Sequence, residues 1–190
     1  MTVIAERLEL LDSLHLDEGS HRSFDEGHCA MEVVAFLAGE GITDAPQCSS
    51  QVLRTFTIGL NDQWSDEQRQ KLRPYLPRMV GTANDGQEEA RSFLALDWLI
   101  RTFTPAWLDL AGLADAAAEL RALRRIADIA AAEAAGPVVR ASRQKAAAAR
   151  AAAWDAAGDA AWAALRPTVE QLQTFALDLV ERMAWLKGDD

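Results

Sequence analysis

Cysteine is scarce in this sequence of 190 residues, which contains only Cys29 and Cys48. A small secreted domain held together by disulfides would be rich in cysteine, so the sequence favours a reducing compartment. Acidic residues interrupt the first ten positions, which therefore lack the apolar segment of a signal peptide. No apolar run approaches the ~20 residues that span a bilayer. We expect a cytoplasmic protein with no membrane partner.

Positive charge is also in deficit. Lysine and arginine number 19 against 29 aspartates and glutamates, which gives a net charge of -10. Proteins that bind nucleic acid usually present a basic face, whereas the densest basic stretch here, residues 121–150, is interrupted by Asp128 and Glu133. We expect no nucleic-acid partner. The excess of carboxylates leaves one alternative function open, an acidic mimic of DNA that inhibits a nucleic-acid-binding protein.

Motifs that carry a specific catalytic mechanism are missing. The sequence has no Gly-x-Gly-x-x-Gly loop, no Walker loop, no Gly-x-Ser-x-Gly elbow and no His-Glu-x-x-His zinc signature. Paired carboxylates such as Glu88 and Glu89 would act as acid and base only if they were buried. These absences favour a protein that is not an enzyme.

Helical periodicity dominates what the sequence does contain. Ile4, Leu8 and Leu11 are spaced by four and three residues, which is one stripe of an amphipathic helix. Similar short stripes continue to about residue 112, after which alanine, the strongest helix former, dominates. We predict an all-α, irregular multi-helix bundle. Its parts are a bundle of short helices over residues 1–112 and an alanine-rich helical bundle over residues 113–190, which packs on the first or is continuous with it.

The alanine-rich part is predicted to form a long C-terminal helical hairpin. Gly136 and Pro137 are expected to separate two long helices, because proline breaks a helix interior. Pro167 is expected to open the final helix, since proline is tolerated at the first helical position. The apolar stripe of that last helix is Leu172, Phe175, Leu179 and Met183.

Capping and proline signals predict helix starts in the N-terminal part. Ser23 and Glu26 have the Ser-x-x-Glu spacing of a capping box, which predicts a helix over residues 24–37. Thr104 followed by Pro105 predicts a second start, directly after a helix that ends at Phe103.

One polar cluster deserves a functional hypothesis. If residues 24–37 are helical, Asp25, His28 and Glu32 share one face, with the thiol of Cys29 beside them. Such side chains are ligands for zinc, and a cysteine near a helix N-terminus with a histidine base is a candidate nucleophile. The alternatives are a metal-dependent or thiol enzyme, and a capped helix with an ordinary polar face. The cluster comprises His21, Asp25, His28, Cys29 and Glu32.

Six tryptophans are present, a high number for this length. Most should fill the core, but tryptophan is also enriched at protein interfaces. Trp154 and Trp162 are eight residues apart and share a helix face, and Trp185 lies on the last helix. We therefore expect a non-enzymatic protein-interaction module, which binds a protein partner or itself, with Trp154, Trp162 and Trp185 as candidate contact residues.

Five segments of the sequence carry a resemblance to other proteins: CAMEVVAFLAGE at 29–40, RPYLPRMVGT at 73–82, ALDWLIR at 95–101, TPAWL at 104–108, and the tail containing AAWDAA at 152–157. They resemble a family of uncharacterised proteins from actinobacteria and the bacteriophages that infect them. The resemblance extends from about residue 20 to the end of the chain. It implies a phage or host accessory factor and implies no activity.

Overall fold

The computed structural model describes residues 2–153 and 160–186, and it describes side chains for all of these except 149–153 and 160–164. Every regular element in the described ranges is helical, which confirms the predicted all-α class. No helix in these ranges is both long enough and apolar enough to cross a membrane.

The chain forms two compact units. The first unit contains Met1–Arg91 and Leu177–Asp190, and the second contains Ser92–Ala176. Both divisions fall inside helices, α5 (Glu88–Trp98) and α9 (Ala160–Ala184). The domain boundary predicted after residue 112 stays a prediction.

The first unit is built from short helices around one buried helix. That central helix, α2 (Ala30–Ala38), buries seven of its nine residues and is contacted by three neighbouring elements. Apolar residues at nearly every position of α2 explain its place at the centre of the unit. The other elements of this unit are α1 (Ala5–Leu8), α3 (Gln51–Gln63), α4 (Asp66–Gln70) and 3-10 turns at Leu11–Ser13, Phe24–Glu26, Arg73–Met79 and Thr82–Asn84.

The predicted helix over residues 24–37 is wrong at its N-terminal third. Only a 3-10 turn forms at Phe24–Glu26, and Ser23 makes no capping bond with its side chain. Gly27 then adopts a φ of 130°, a conformation that favours glycine and cannot continue a helix. The true N-cap of α2 is Cys29, because the Glu32 side chain bonds back to its backbone N–H.

The second unit packs small residues closely. Its core cluster is Leu108, Ala116, Ala117 and Leu120, contributed by α6 (Thr104–Leu110) and α7 (Ala114–Arg121). The long helix α8 (Ile129–Ala153) lies against this cluster with Val138, Val139 and Ala146. Alanine allows helices to approach closely, and leucine fills the remaining space.

Pro137 was expected to separate two helices and Pro167 to begin one, but both prolines lie inside long helices. α8 runs through Gly136 and Pro137 without a break, and Pro167 lies seven residues into α9. The residues that would join α8 to α9 lie outside the described ranges, so the hairpin stays a prediction. In α9, Leu172, Leu179 and Met183 of the predicted stripe are buried, whereas Phe175 is exposed and Ala176 takes its place.

Thr104 also fails to start a new helix. Between α5 and α6 the backbone passes through one π-helical turn, Leu99–Phe103, so the chain is helical from Glu88 to Leu110. The predicted boundary at Phe103 is therefore wrong.

Candidate functional site

Glu32 is the centre of the predicted polar cluster. Its carboxylate is buried, with the residue 1% exposed. Oε1 accepts the backbone N–H of His21 at 2.7 Å, and Oε2 accepts the backbone N–H of Cys29 at 2.8 Å. The imidazole Nδ1 of His21 lies 2.8 Å from Oε2. One carboxylate thus ties the segment before α2 to the first turn of that helix.

Hydrogen bonds stabilise the negative charge of the buried Glu32 carboxylate. Burial alone would raise the pKa of this carboxyl, but the N–H groups of His21 and Cys29 and the His21 imidazole together hold it below its ordinary value. Glu32 is therefore ionised at neutral pH, and both of its oxygens accept hydrogen bonds from the chain itself. Its burial and these bonds are typical of a structural carboxylate, whereas a general base must be within reach of a substrate.

Cys29 is poorly suited to nucleophilic chemistry. Its side chain is buried, and burial beside Glu32 raises the pKa of the thiol to about 12. Cys48, also buried, likewise has a pKa of about 12, with Glu40 contributing. Neither thiol is paired in a disulfide. Both cysteines are protonated at neutral pH, whereas a nucleophile needs the thiolate.

The remaining members of the cluster do not converge on Glu32. Asp25 is exposed, and His28 stacks on Phe24 with ring centroids 4.2 Å apart. They diverge because Gly27 breaks the helix that would have placed them on one face. Among the residues whose positions are described, no group of three or more His, Cys, Asp or Glu side chains is placed to hold a metal ion. The zinc site considered from the sequence therefore stays a prediction.

Of the three predicted contact tryptophans, Trp185 is the one whose side chain is described. Trp154 lies outside the described residues, and nothing is described of the Trp162 side chain. Trp185 is 48% exposed. The Arg78 guanidinium lies 3.9 Å from its ring centroid, and Arg78 also pairs with Glu181 at 3.6 Å. Trp185 thus takes part in a cation–π contact within the first unit.

The second unit contains an aromatic surface that the sequence analysis missed. Trp98 and Phe103 have ring centroids 5.2 Å apart, and Phe103 and Trp107 have centroids 6.1 Å apart in an edge-on arrangement. We call these three residues the aromatic row. Leu99 and Leu110, which are both exposed, belong to the same continuous helical stretch, four residues before Phe103 and three residues after Trp107.

The π turn aligns the row. In an α-helix, residues five apart such as Trp98 and Phe103 point about 140° away from each other. With the wider π turn of about 4.4 residues, that angle falls to about 50°, so the two rings meet. A regular helical wheel separates these aromatics, which is why spacing alone did not reveal the row.

Two adjacent residues explain why the helix widens here. Pro105 has no N–H to donate to the preceding turn. Thr104 donates its backbone N–H to the carbonyl of Leu99, five residues earlier, and its hydroxyl donates to the same carbonyl at 2.7 Å. In the sequence, Thr104-Pro105 was the signal for this π turn, although such a pair ordinarily predicts a helix start.

The row is exposed at one end only. Pro105 and Leu108 are buried in the second unit and Trp98 and Phe103 are half-buried, whereas Trp107 is 37% exposed and Leu99 is 46% exposed. Exposed apolar side chains that lie together mark interaction sites more often than isolated ones do.

Charge is divided unequally between the units. The ranges 1–91 and 177–190 contain 10 basic and 20 acidic residues, whereas 92–176 contains nine of each. The whole net charge of -10 therefore belongs to the first unit, and the unit that carries the aromatic row is neutral. The acidic DNA-mimic alternative, which needs carboxylates aligned on one face, stays a prediction.

Comparison with known proteins gave no match: the chain matches no protein-family model, no curated protein and no solved structure.

Proposed function

We propose that this chain is a non-enzymatic, cytoplasmic protein-interaction module, and that the aromatic row is its contact surface. In keeping with the resemblance found in the sequence, its place would be as an accessory factor of a phage or of an actinobacterial host. The observation that carries the proposal is the alignment of Trp98, Phe103 and Trp107 by a π turn, with Trp107 exposed at the end of the row.

Physical reasons favour a contact role for this surface. Tryptophan and phenylalanine contribute large buried areas to interfaces at low entropic cost, and tryptophan is a frequent hot-spot residue. π turns interrupt regular helices and are frequent at functional sites. A row that served only the fold would be covered by the unit's own core, whereas Trp107 and Leu99 remain open.

The environment of the polar cluster argues against the enzyme alternative. Both oxygens of the buried Glu32 are hydrogen-bonded within the chain, Cys29 is buried with a pKa of about 12, and Asp25 and His28 do not reach them. These side chains stabilise the start of α2.

Photo-crosslinking at the row tests the proposal. A photoreactive amino acid replaces Trp107 in one variant and Ile129 in another, and both are expressed in cells that naturally carry the gene. Ile129 is the matched control because it is 62% exposed in the same unit but outside the row. We expect a discrete protein adduct from position 107 and none from position 129, with the crosslinked peptides identified by mass spectrometry. Equal labelling from both positions, or no adduct at 107, would contradict the proposal.

A further inference from the structure

We infer that the gap between the His21 imidazole and the Asp17 carboxylate binds a divalent cation of the zinc class. The gap lies in the first unit and has no part in the aromatic row, so the inference goes beyond the proposed function. Its ligand set differs from the one considered from the sequence: His21 is the one member of the predicted polar cluster that ligates, and Asp17 is the second ligand. Glu32 orients the imidazole from behind.

The orientation of the imidazole is the first argument. Nδ1 of His21 lies 2.8 Å from Oε2 of Glu32. Because the Glu32 carboxylate is ionised and can only accept, Nδ1 carries the proton of the neutral ring, and Nε2 keeps a free lone pair. Histidines that bind metals almost always donate from their other ring nitrogen to a carboxylate, a carbonyl or a water. Glu32 therefore holds the ring in the tautomer that a metal ion requires.

The free nitrogen of His21 and the carboxylate of Asp17 converge over bare backbone. A Cβ on Gly27 would lie 2.8 Å from Asp17 Oδ2 and 2.9 Å from His21 Nε2, so glycine leaves open a point that both atoms border. Within the part of the chain that the structure describes, neither atom has a hydrogen-bond or ion-pair partner. Two groups that only accept are complementary to a donor or a cation between them.

The ligand types and their exposure select the kind of ion. The His21 side chain is 15% exposed and Asp17 is half-buried, so an ion can enter from solvent. An imidazole nitrogen suits zinc and the neighbouring transition metals, whereas magnesium and calcium prefer oxygen ligands alone. The excess of carboxylates in the first unit adds a general attraction for cations.

Two protein ligands predict a modest affinity. Structural zinc sites have four protein ligands and catalytic sites have three. Among the described residues no third His, Cys, Asp or Glu side chain is placed to complete this site, so water fills the remaining positions. The Asp17 carboxylate has no partner that holds it away, and it can turn towards the ion. We expect one ion per chain, bound more weakly than in a structural zinc site.

Calorimetric titration of zinc into the full chain at neutral pH tests the inference. Asp17→Asn should raise the dissociation constant at least about tenfold, since it removes a ligand and leaves the bonds of Glu32 intact. His15→Gln is the matched control, because His15 and Asp66 form an exposed histidine–carboxylate pair, 2.9 Å apart, in the same unit. This variant should bind zinc as the wild type does, within about twofold. Circular dichroism confirms that each variant is folded.

Chemical modification locates the ion without a substitution. Diethyl pyrocarbonate acylates unprotonated imidazole nitrogens, and tandem mass spectrometry distinguishes the three histidines. At a zinc concentration ten times the dissociation constant, only about a tenth of the sites are free, so modification of His21 should slow about tenfold. Modification of His15 should not change, and magnesium should protect neither residue.

Three results would overturn the inference. The first is a dissociation constant for zinc above about 1 mM, which would leave only water in the gap. The second is an Asp17→Asn variant that binds zinc as tightly as the wild type does. The third is equal protection of His15 and His21, which indicates non-specific binding to surface histidines. Crosslinking from position 107 tests the proposed function separately, because the two sites share no residue.

Discussion

Among single residues, Glu32 shows how a polar cluster that suggests chemistry can instead define a fold. Its two oxygens receive N–H donors from His21 and Cys29, residues that approach α2 from the preceding segment. Gly27 makes the approach possible, since a Cβ at this position would lie 2.8 Å from Asp17 Oδ2 and 2.9 Å from the His21 ring. The chain therefore passes this point with the imidazole packed against bare backbone.

Replacing Glu32 by glutamine should be strongly destabilising. The change removes a buried charge that three donors surround, and glutamine presents an NH₂ group where one acceptor oxygen stood. We expect a loss of about 3 kcal/mol in the free energy of unfolding, measured by urea titration. Asp25→Asn, the control in the same sequence cluster, removes an exposed carboxylate and should change stability by less than about 0.5 kcal/mol. Equal losses in the two variants would contradict the structural role of Glu32.

Acid should weaken the fold through two carboxyls. The pKa of Glu32 is lowered in the folded state as described above, and that of Asp85 is lowered mainly by its bonds to Arg91. A carboxyl whose folded pKa lies below its unfolded value stabilises the fold above the unfolded pKa and loses that effect as pH falls through the folded pKa. Stability should therefore hold from pH 7 to about 5 and fall below about pH 4.5. Urea titrations at several pH values measure this, and Glu32→Gln should show a shallower acid decline.

The two thiols should be silent in the native state. Cys29 and Cys48 are each 3% exposed with a pKa of about 12, so an aromatic disulfide reagent at mildly alkaline pH finds neither access nor thiolate. We expect negligible labelling of the folded chain and two thiols per chain in denaturant, followed by absorbance. Rapid labelling of a single thiol in the folded protein would restore the thiol-enzyme hypothesis.

At the scale of elements, two segments that contain proline both remain helical, but in different ways. At Thr104-Pro105 the missing donor coincides with a π turn, and the helix widens without ending. At Gly136-Pro137 the helix simply continues, with Pro137 exposed. In both cases packing outweighed the local preference: Leu108 belongs to the core cluster of the second unit, and Val138 and Val139 are partly buried against that cluster. Tertiary burial stabilises a helix more than one lost hydrogen bond weakens it.

Pro137→Ala should stabilise the protein. Alanine restores the hydrogen bond to the carbonyl four residues earlier, removes the ring from a helix interior, and meets no core because the site is exposed. We expect a gain of up to about 3 kcal/mol in the free energy of unfolding, measured by urea titration. Gly136→Ala should give a smaller gain of about 1 kcal/mol, since its Cβ meets only the flexible end of Arg140 at 3.1 Å. A loss of stability in Pro137→Ala would indicate that the helix needs an interruption at this point.

Much of the helical content, though not its boundaries, was accessible from sequence. Apolar spacing and alanine content predicted an all-α chain, and the buried positions Leu172, Leu179 and Met183 were predicted from their stripe. The aromatic row was not, because Trp98 and Phe103 meet only after the π turn changes the helical period. The start of α2 was missed because Ser23 and Glu26 satisfy the capping pattern while Cys29, an unusual N-cap, occupies the position.

Across the whole molecule, net charge is confined to one unit while exposed apolar side chains are not. The ranges 1–91 and 177–190 hold all of the net negative charge. The large exposed apolar side chains are Leu8, Leu10, Ile42 and Trp185 in the first unit and Leu99, Trp107, Leu110, Ile129 and Phe175 in the second. The neutral range 92–176 therefore presents its apolar side chains without an excess of either charge.

The excess of negative charge should make thermal stability depend on salt. Twenty acidic residues against ten basic ones repel within the first unit, and added salt screens this repulsion. We expect the Tm to rise between about 0.02 M and 0.2 M sodium chloride, measured by calorimetry at a concentration where the chain is monomeric. Asp25→Asn, by removing one of these charges, should reduce the gain. A Tm that falls with salt would show that local ion pairs such as Arg69 with Asp66 outweigh the net charge.

The Arg91 side chain has a consequence for the order in which the chain can fold as it is synthesised. This fully buried guanidinium pairs with Asp85 and donates to the carbonyl of Met183, which follows it by 92 residues. At a synthesis rate of ~5–20 residues per second, roughly 5–20 s pass between the two residues. During that interval a buried cation has only part of its final partners, and the entire second unit is made. The first unit is therefore the first to begin folding and the last to be completed. A chaperone that shields the nascent chain would have to cover this unit for the longest time.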